Sequence, residues 1–333
     1  MKSAQRISLE EIDFSDETFS VNFRPELERL RTSIGKIGLI QPVLLRRKSR
    51  GYQIVCGFRR LWVLREFGWP DVSAILLGEE TEDLQLFEIS IEENLTTRGF
   101  NPVEKAIAID KFIHRFKIEP SEVIRTYLPL LSLEPNEKIL RTYLSLAQME
   151  EEVKEYVLKE EVSRTNIRKL STFSKEDRKV LIPFLSSLKL GESRLREILN
   201  LLDEISHRDR IRVGEIVRHP DIQGILSRGE LTPSQKTERV KKVLLELRYP
   251  RLIGLERTFE KRRKDLNLPS YVSLFHSPHF EEREWRIEFR FATLEQYRQA
   301  LSFLSQLAEE KKFEELIKED SETEILGSDS FSN

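Results

Sequence analysis

Cysteine is nearly absent from this chain. Cys56 stands alone among 333 residues, so no internal disulfide can form, and a reducing cytoplasm is the expected compartment. Long apolar runs are missing too. No stretch reaches the roughly 18 uncharged residues that a membrane-spanning helix takes, and the opening Met1-Lys2-Ser3 turns acidic at Glu10-Glu11 before any signal-like apolar core builds up. The chain is therefore expected to be cytoplasmic, with no membrane association. Net charge is small as well: 55 Lys and Arg against 57 Asp and Glu give a formal −2, so any affinity for nucleic acid must come from a local patch. There is no Walker A loop, no glycine-rich dinucleotide fingerprint, no serine-hydrolase elbow and no compact acidic or histidine cluster suited to two-metal hydrolysis. His276 and His279 have a spacing compatible with a metal but lack Cys or acidic partners, and are read as loop residues.

What is present is a charged, helix-rich composition, 34% Asp, Glu, Lys and Arg, long enough for two or three domains. Period-two and period-3.6 patterns mix over the first hundred residues. Strands are expected at Arg6 to Ile12, Pro42 to Arg46, Tyr52 to Cys56 and Val72 to Leu77, and helices at Pro25 to Ile37, Phe58 to Phe67 and Thr81 to Asn94. From Asn101-Pro102-Val103-Glu104 onward the chain turns helical: Asn can cap, Pro suits the first helical position and Glu can reach back from the third.

The most informative residues are Gly57-Phe58-Arg59-Arg60, at the corner where strand gives way to helix. A glycine there admits close backbone approach, a new helix offers unpaired N–H groups, and two guanidiniums add fixed positive charge, which together are the chemistry of a phosphate cradle. A solvated arginine pair is the alternative. A second box follows at Glu93-Asn94-Leu95-Thr96-Thr97-Arg98, running into Asn101-Pro102.

A second candidate site lies between Glu119 and Met149. Ser121 to Leu128 is expected to be a short amphipathic helix, Pro129 to Pro135 a turn, and Asn136 the cap of a helix running to about Ala147. Ile139, Leu140, Tyr143, Leu144 and Ala147 would pack inward. Lys138, Arg141, Thr142, Ser145 and Gln148 would face out as donors for phosphates and base edges. The same outline fits any two consecutive helices of a bundle. Val240 to Asp265 carries a local excess of basic residues that could touch a DNA backbone, although a solvated helix face is the preferred reading. After Pro269 the period returns to two, at Tyr271 to His276 and at Trp285 to Phe291, before a helix from Thr293 to Leu307. Such a hairpin needs a second surface for its apolar face, either the preceding helices or another copy of the chain.

Gly38-Leu39-Ile40-Gln41-Pro42-Val43, the Gly57 box and the Glu93 box resemble, in order and spacing, the amino-terminal domain of the ParB family of chromosome-partitioning proteins. The resemblance implies an α+β ParB/sulfiredoxin-like domain over residues 1–98. Beyond it would lie an all-α region at 99–210 with a helix-turn-helix at 119–149, a helical connector at 211–268, a small ββα module at 269–320 that could dimerise, and a disordered tail at 321–333. It implies a CTP pocket with Mg²⁺, in which Gln41, Pro42, Gly57, Arg59, Arg60 and Asn101 take the nucleotide and Glu93 and Asn94 hold the metal. Lys138, Arg141, Thr142 and Ser145 would contact double-stranded DNA. The implied protein is a nucleoid-associated homodimer acting in chromosome or plasmid partition with a ParA-type ATPase; the alternative is a nucleotide-binding kinase or phosphohydrolase of the same superfamily that binds no DNA.

The chain departs from the family pattern at Phe58, where the family carries Glu, so hydrolysis of the triphosphate is in doubt, and at Thr97, where the family often has Arg. Sulfiredoxin, which shares the fold, uses a cysteine at the Phe58 position; Cys56 instead shares the apolar parity of Ile54 and is read as core.

Overall fold

The computed structural model describes residues 3–277 and 284–322. The chain divides into two compact units, one of residues 1–203 and 212–218, the other of 204–211 and 219–333.

The first unit opens with a five-stranded mixed sheet. Its strands are β1 (Gln5–Ser8), β2 (Ile12–Asp13), β3 (Val43–Arg47), β4 (Tyr52–Cys56) and β5 (Asp71–Leu77), in the order β1-β5-β3-β4-β2. The expected strand at Arg6 to Ile12 is broken because Ser8 caps a 3-10 turn at Leu9–Glu11. The pairs β1/β5 and β3/β4 are antiparallel, whereas β3/β5 and β2/β4 are parallel. Three helices accompany the sheet: α1 (Glu28–Ile37), α2 (Phe58–Glu66) and α3 (Asp83–Thr97). Val43, Leu45, Ile54, Leu61, Leu64, Phe87 and Ile91 are fully buried and form the core between sheet and helices.

Helix α4 (Pro102–Asp110) starts on the expected capping box, with the Asn101 side chain accepting from the Glu104 amide and the Glu104 carboxylate accepting from the Asn101 amide. It continues as a π-helical turn, Lys111–Arg115. The next helical stretch is likewise interrupted: Pro120–Glu122 is α, Val123–Tyr127 is π and Leu128–Leu130 is α again. These wider turns place Phe112 and Tyr127 in a stack, ring centroids 3.8 Å apart, with Phe87 of α3 edge-on to Phe112 at 4.9 Å. Helix Glu137–Gln148, capped by Asn136, packs against α4.

Three further helices, Glu151–Lys159, Arg164–Thr172 and Lys175–Ser186, follow. In the second unit, Thr232 caps helix Pro233–Arg248, and Tyr249 alone separates it from helix Pro250–Asp265, where Pro250 takes the first position. Strands β6 (Val272–His276) and β7 (Trp285–Phe289) pair antiparallel, Leu274 opposite Ile287. Leu274 packs with Phe259, Leu266, Leu307 and Leu316, so the preceding helix and the helices Leu294–Ala308 and Lys311–Glu322 supply the surface that the hairpin requires. The last of these helices carries no strong boundary signal in the sequence and was not expected. His276 packs against Phe259. His279 and the tail from 323 lie outside the described residues.

Lys111 pins the loop after β2 from the π turn: its ammonium donates to the carbonyls of Glu17 and Ser20, both at 2.6 Å, and of Thr18 at 3.1 Å. Burial, and next the charge of Arg115, lower its pKa to about 8. Between pH 8 and the ordinary lysine range near 10.5, the native state has therefore released a proton that the unfolded chain still binds, and stability rises with pH across that window. Replacing Lys111→Met is expected to flatten this rise in urea midpoints measured from pH 7.5 to 10.5; an identical slope in the variant assigns the rise to other groups.

Candidate functional site

The site forms where β4 ends, α2 begins and the last turns of α3 pass over both. Gly57 caps α2 with φ +102°, and a Cβ there would lie 2.7 Å from Cγ1 of Val43, so only glycine fits this corner without displacement. The next residue, Phe58, is buried and turns towards Trp62, ring centroids 6.2 Å apart. No acid stands at this position. Arg59 and Arg60 then diverge to two different carboxylates.

Arg60 donates to Glu93 Oε1 at 2.7 Å and to the carbonyls of Gln41 and Pro42, each at 3.2 Å. The other carboxylate oxygen, Glu93 Oε2, accepts from the Cys56 thiol at 2.8 Å, and Asn94 Nδ2 lies 3.5 Å from the same sulfur. Burial, and next Glu93, push the Cys56 thiol up to about 12, which keeps it protonated and donating at neutral pH. The sequence reading of Cys56 as core agrees with its burial, but nothing local in the sequence signals the contact with Glu93.

Arg59 donates to Glu104 Oε1 at 2.6 Å and to Asn22 Oδ1 at 2.7 Å. Arg98 donates to Glu104 Oε2 at 2.7 Å, to Asn94 Oδ1 at 3.1 Å and to the Gly99 carbonyl at 2.9 Å. Glu104 is 1% exposed, so one buried carboxylate is shared by two guanidiniums and also closes the capping box of α4. Burial, and then the charge of Arg98, push the Arg59 guanidinium below its usual range, with Glu104 opposing.

These groups surround a cavity of about 210 Å³ whose walls include Asn22, Gln41, Gly57, Arg59, Arg60, Glu93, Asn94 and Arg98. Of the residues expected to bind nucleotide, Gln41, Gly57, Arg59 and Arg60 line it, and Pro42 reaches it through its carbonyl bond to Arg60. Asn101 does not line it; its side chain is spent on the α4 cap. Asn22 and Arg98 also line it and were not expected there, nor was the contact of Arg59 and Arg98 with Glu104. Arg59 lies 37 residues from Asn22 and 45 from Glu104, separations that leave no periodic trace, whereas Arg98 lies only 6 from Glu104.

Three guanidiniums facing one small cavity can take an oxyanion, provided that the carboxylates now holding them give way. Mg²⁺ characteristically takes one or two carboxylates and completes its shell with phosphate and water oxygens, and Glu93 beside the Asn94 carboxamide fits that mode. Among the described residues no group of three or more His, Cys, Asp or Glu could hold a metal by itself.

The outward face expected on helix Glu137–Gln148 is partly different. Lys138, Arg141, Thr142 and Ser145 border one recess of about 400 Å³ with Arg168 and Ser171. Thr142, however, is buried, and its hydroxyl donates back to the Lys138 carbonyl at 2.7 Å, so it is not a free donor. Arg141 donates to Glu137 Oε1. Leu140 and Tyr143 pack inward as expected, Ile139, Leu144 and Ala147 are only half-buried, and Leu146, not among the residues expected inward, is fully buried.

The fold and the site define a small α+β domain built around an arginine-lined cavity. Residues 1–95 match the ParB N-terminal domain family. The chain is 25% identical over 178 residues to a nucleoid occlusion protein of Halalkalibacterium halodurans, covering 52% of this chain and 60% of that protein. It is 33% identical over 98 residues to the chromosome-partitioning protein ParB of Myxococcus xanthus, covering 29% of this chain and 32% of that one. It thus spans less than two thirds of either relative. Among solved structures, the C-terminally truncated ParB of Caulobacter crescentus complexed to the centromeric parS site matches with 22% identity over 59% of this chain and 97% of that chain, at a TM-score of 0.34.

Because Glu104 is buried between two guanidiniums, removing it leaves both without their counter-charge. Glu104→Ala is expected to cost about 3–5 kcal/mol in urea unfolding. A loss below about 1 kcal/mol, in the range of an exposed pair, means that the network contributes little to stability.

Proposed function

We propose that the chain is a ParB-like, DNA-binding protein whose amino-terminal domain takes CTP with Mg²⁺, acting in partition or occlusion of the nucleoid. The observation that carries this reading is the convergence of Arg59, Arg60 and Arg98 with Glu93 and Asn94 on one cavity within a ParB N-terminal domain. Two of the three guanidiniums are held by Glu104 and one by Glu93, so the phosphate-binding charges are neutralised internally. An incoming triphosphate would draw Arg60 from Glu93, and the freed carboxylate would then be available to Mg²⁺, which when bound screens the phosphate charges. Exchange of Glu93 between arginine and metal makes nucleotide and cation depend on each other.

DNA contact is assigned to helix Glu137–Gln148 with Lys138, Arg141 and Ser145, and the neighbouring Arg168 extends the same face. Charge–phosphate contacts of this kind weaken steeply with salt. In the second unit, Ile287, Phe291, Leu294 and Leu301 are exposed apolar residues, and this face is where self-association of two copies is proposed. Partition with a ParA-type ATPase, and association with the nucleoid, belong to the same reading.

Calorimetry of the full chain with CTP and Mg²⁺ is expected to show saturable binding that Arg60→Ala weakens at least about tenfold, the scale of one lost charge-assisted hydrogen bond. Unchanged affinity in the variant would remove the phosphate assignment. In a duplex-shift assay at several salt concentrations, Arg141→Ala is expected to weaken binding and to reduce the salt slope by about one counterion; no binding to any duplex, with or without CTP, counts against DNA contact.

With Phe58 in place of an acid, bound CTP is expected to be recovered intact after prolonged incubation with Mg²⁺ and DNA. Steady phosphate release that survives purification of the full chain overturns this.

A further inference from the structure

A second recess lies in the first unit, away from the arginine-lined cavity. It is a groove of about 780 Å³ between helices Glu151–Lys159 and Lys175–Ser186, within the size range of small-molecule sites. Val153, Tyr156, Ile182 and Pro183 contribute its apolar lining. Its charged groups are unevenly spent. Glu150 and Arg178 satisfy each other through two bonds, at 2.9 and 3.0 Å, and Glu155 is held from outside by Arg24 at 2.7 Å. Lys175 and Lys179 make no direct ion pair among the described residues, and Lys159 has only Glu160, at 3.9 Å. Two ammonium groups of the lining, Lys175 and Lys179, are thus without an ion pair, against one carboxylate, Glu152.

Two polar groups of the groove also lack partners that their surroundings would ordinarily supply. Tyr156 is 5% exposed, yet its hydroxyl makes no hydrogen bond to protein and is not sealed from solvent. Burial raises its pKa, so it stays protonated and can donate. Pro183 inside its helix has no N–H, which leaves the carbonyl of Lys179 without its i+4 donor. A tyrosine hydroxyl open to solvent and unbonded to protein, beside an apolar floor and two lysines without an ion pair, leaves donors available at a cavity large enough to fill.

We propose that this groove binds an anionic amphiphile, a small molecule with an aromatic or short aliphatic body and a carboxylate or sulfonate head. The body covers Val153, Tyr156 and Ile182, and the head accepts from the Tyr156 hydroxyl and the ammonium groups of Lys175 and Lys179. The lysine stems add apolar wall while their heads stay wet.

Fluorescence titration of the full chain with anilinonaphthalene sulfonate, alongside the neutral dye phenylnaphthylamine, tests this. The sulfonate is expected to saturate one site and to bind more tightly than the neutral dye. The double variant Lys175→Glu/Lys179→Glu is expected to weaken the sulfonate about tenfold or more while leaving the neutral dye unchanged, and Tyr156→Phe to weaken the sulfonate several-fold. Thermal melts establish that each variant is folded. Equal binding of both dyes to the wild type, or undiminished sulfonate binding in both folded variants, overturns the proposal. Should the double variant fail to fold, Tyr156→Phe decides alone: a wild-type melt with unchanged sulfonate affinity overturns it.

Discussion

The carboxylate of Glu104 is the constraint on which the amino-terminal architecture turns. It joins the first turn of α2 through Arg59, the end of α3 through Arg98 and the first turn of α4 through the Asn101 amide. Removing a carboxylate from water is costly, and the cost is offset only when its lone pairs are filled by charge-assisted donors. Here Oε1 is filled from α2, 45 residues away in sequence, and Oε2 from Arg98 at the end of α3, only 6 away, so the three helices cannot shift independently without leaving a buried charge unpaired. Phe87, Phe112 and Tyr127 bind the other side of the same junction through ring stacking, which is less directional and more tolerant of sliding.

Two carboxylates thus hold the three arginines, and they differ in what release would cost. Glu93 is partly exposed and shared with a cysteine thiol, so a competing phosphate need only replace one guanidinium bond. Glu104 is sealed, has two guanidiniums and holds a helix cap. Exchange at Arg60 is the easier event, whereas exchange at Arg59 would unseat α4. Helix α4 packs on helix Glu137–Gln148 and, through Lys111, holds the loop that supplies Asn22 to the cavity. Side chains of α4 and of the π turn that continues it therefore connect the walls of the cavity to that helix.

Much of this was legible in the sequence where a residue type is demanded locally. Gly57 is required by a positive φ and by the closeness of Val43, and Asn101-Pro102-Val103-Glu104 by the start of a helix; both stand where the residue pattern places them. β4 matches residue for residue, although Gln53 and Val55 are buried along with Ile54 and Cys56, so that both of its faces are covered. What escaped was of two kinds. Glu104 reads as a capping residue because capping is local, while its arginine partners are set by tertiary packing. Thr142 reads as an outward donor because hydroxyls are counted polar, yet its bond to Lys138 satisfies it inside the helix and lets it be buried.

The divergence of Arg59 and Arg60 also explains why adjacent arginines are useful at this corner. Successive residues on a helix point about 100° apart, so one guanidinium reaches α3 at Glu93 while its neighbour reaches α4 at Glu104. A lysine at either place would keep the charge but lose the fork, which at Arg60 spans Glu93 and two backbone carbonyls at once. The pair therefore serves as a splitter: from one turn of α2 it commits one arm to the exchangeable carboxylate and the other to the structural one. Any anion that engages both guanidiniums must pull on α3 and α4 together.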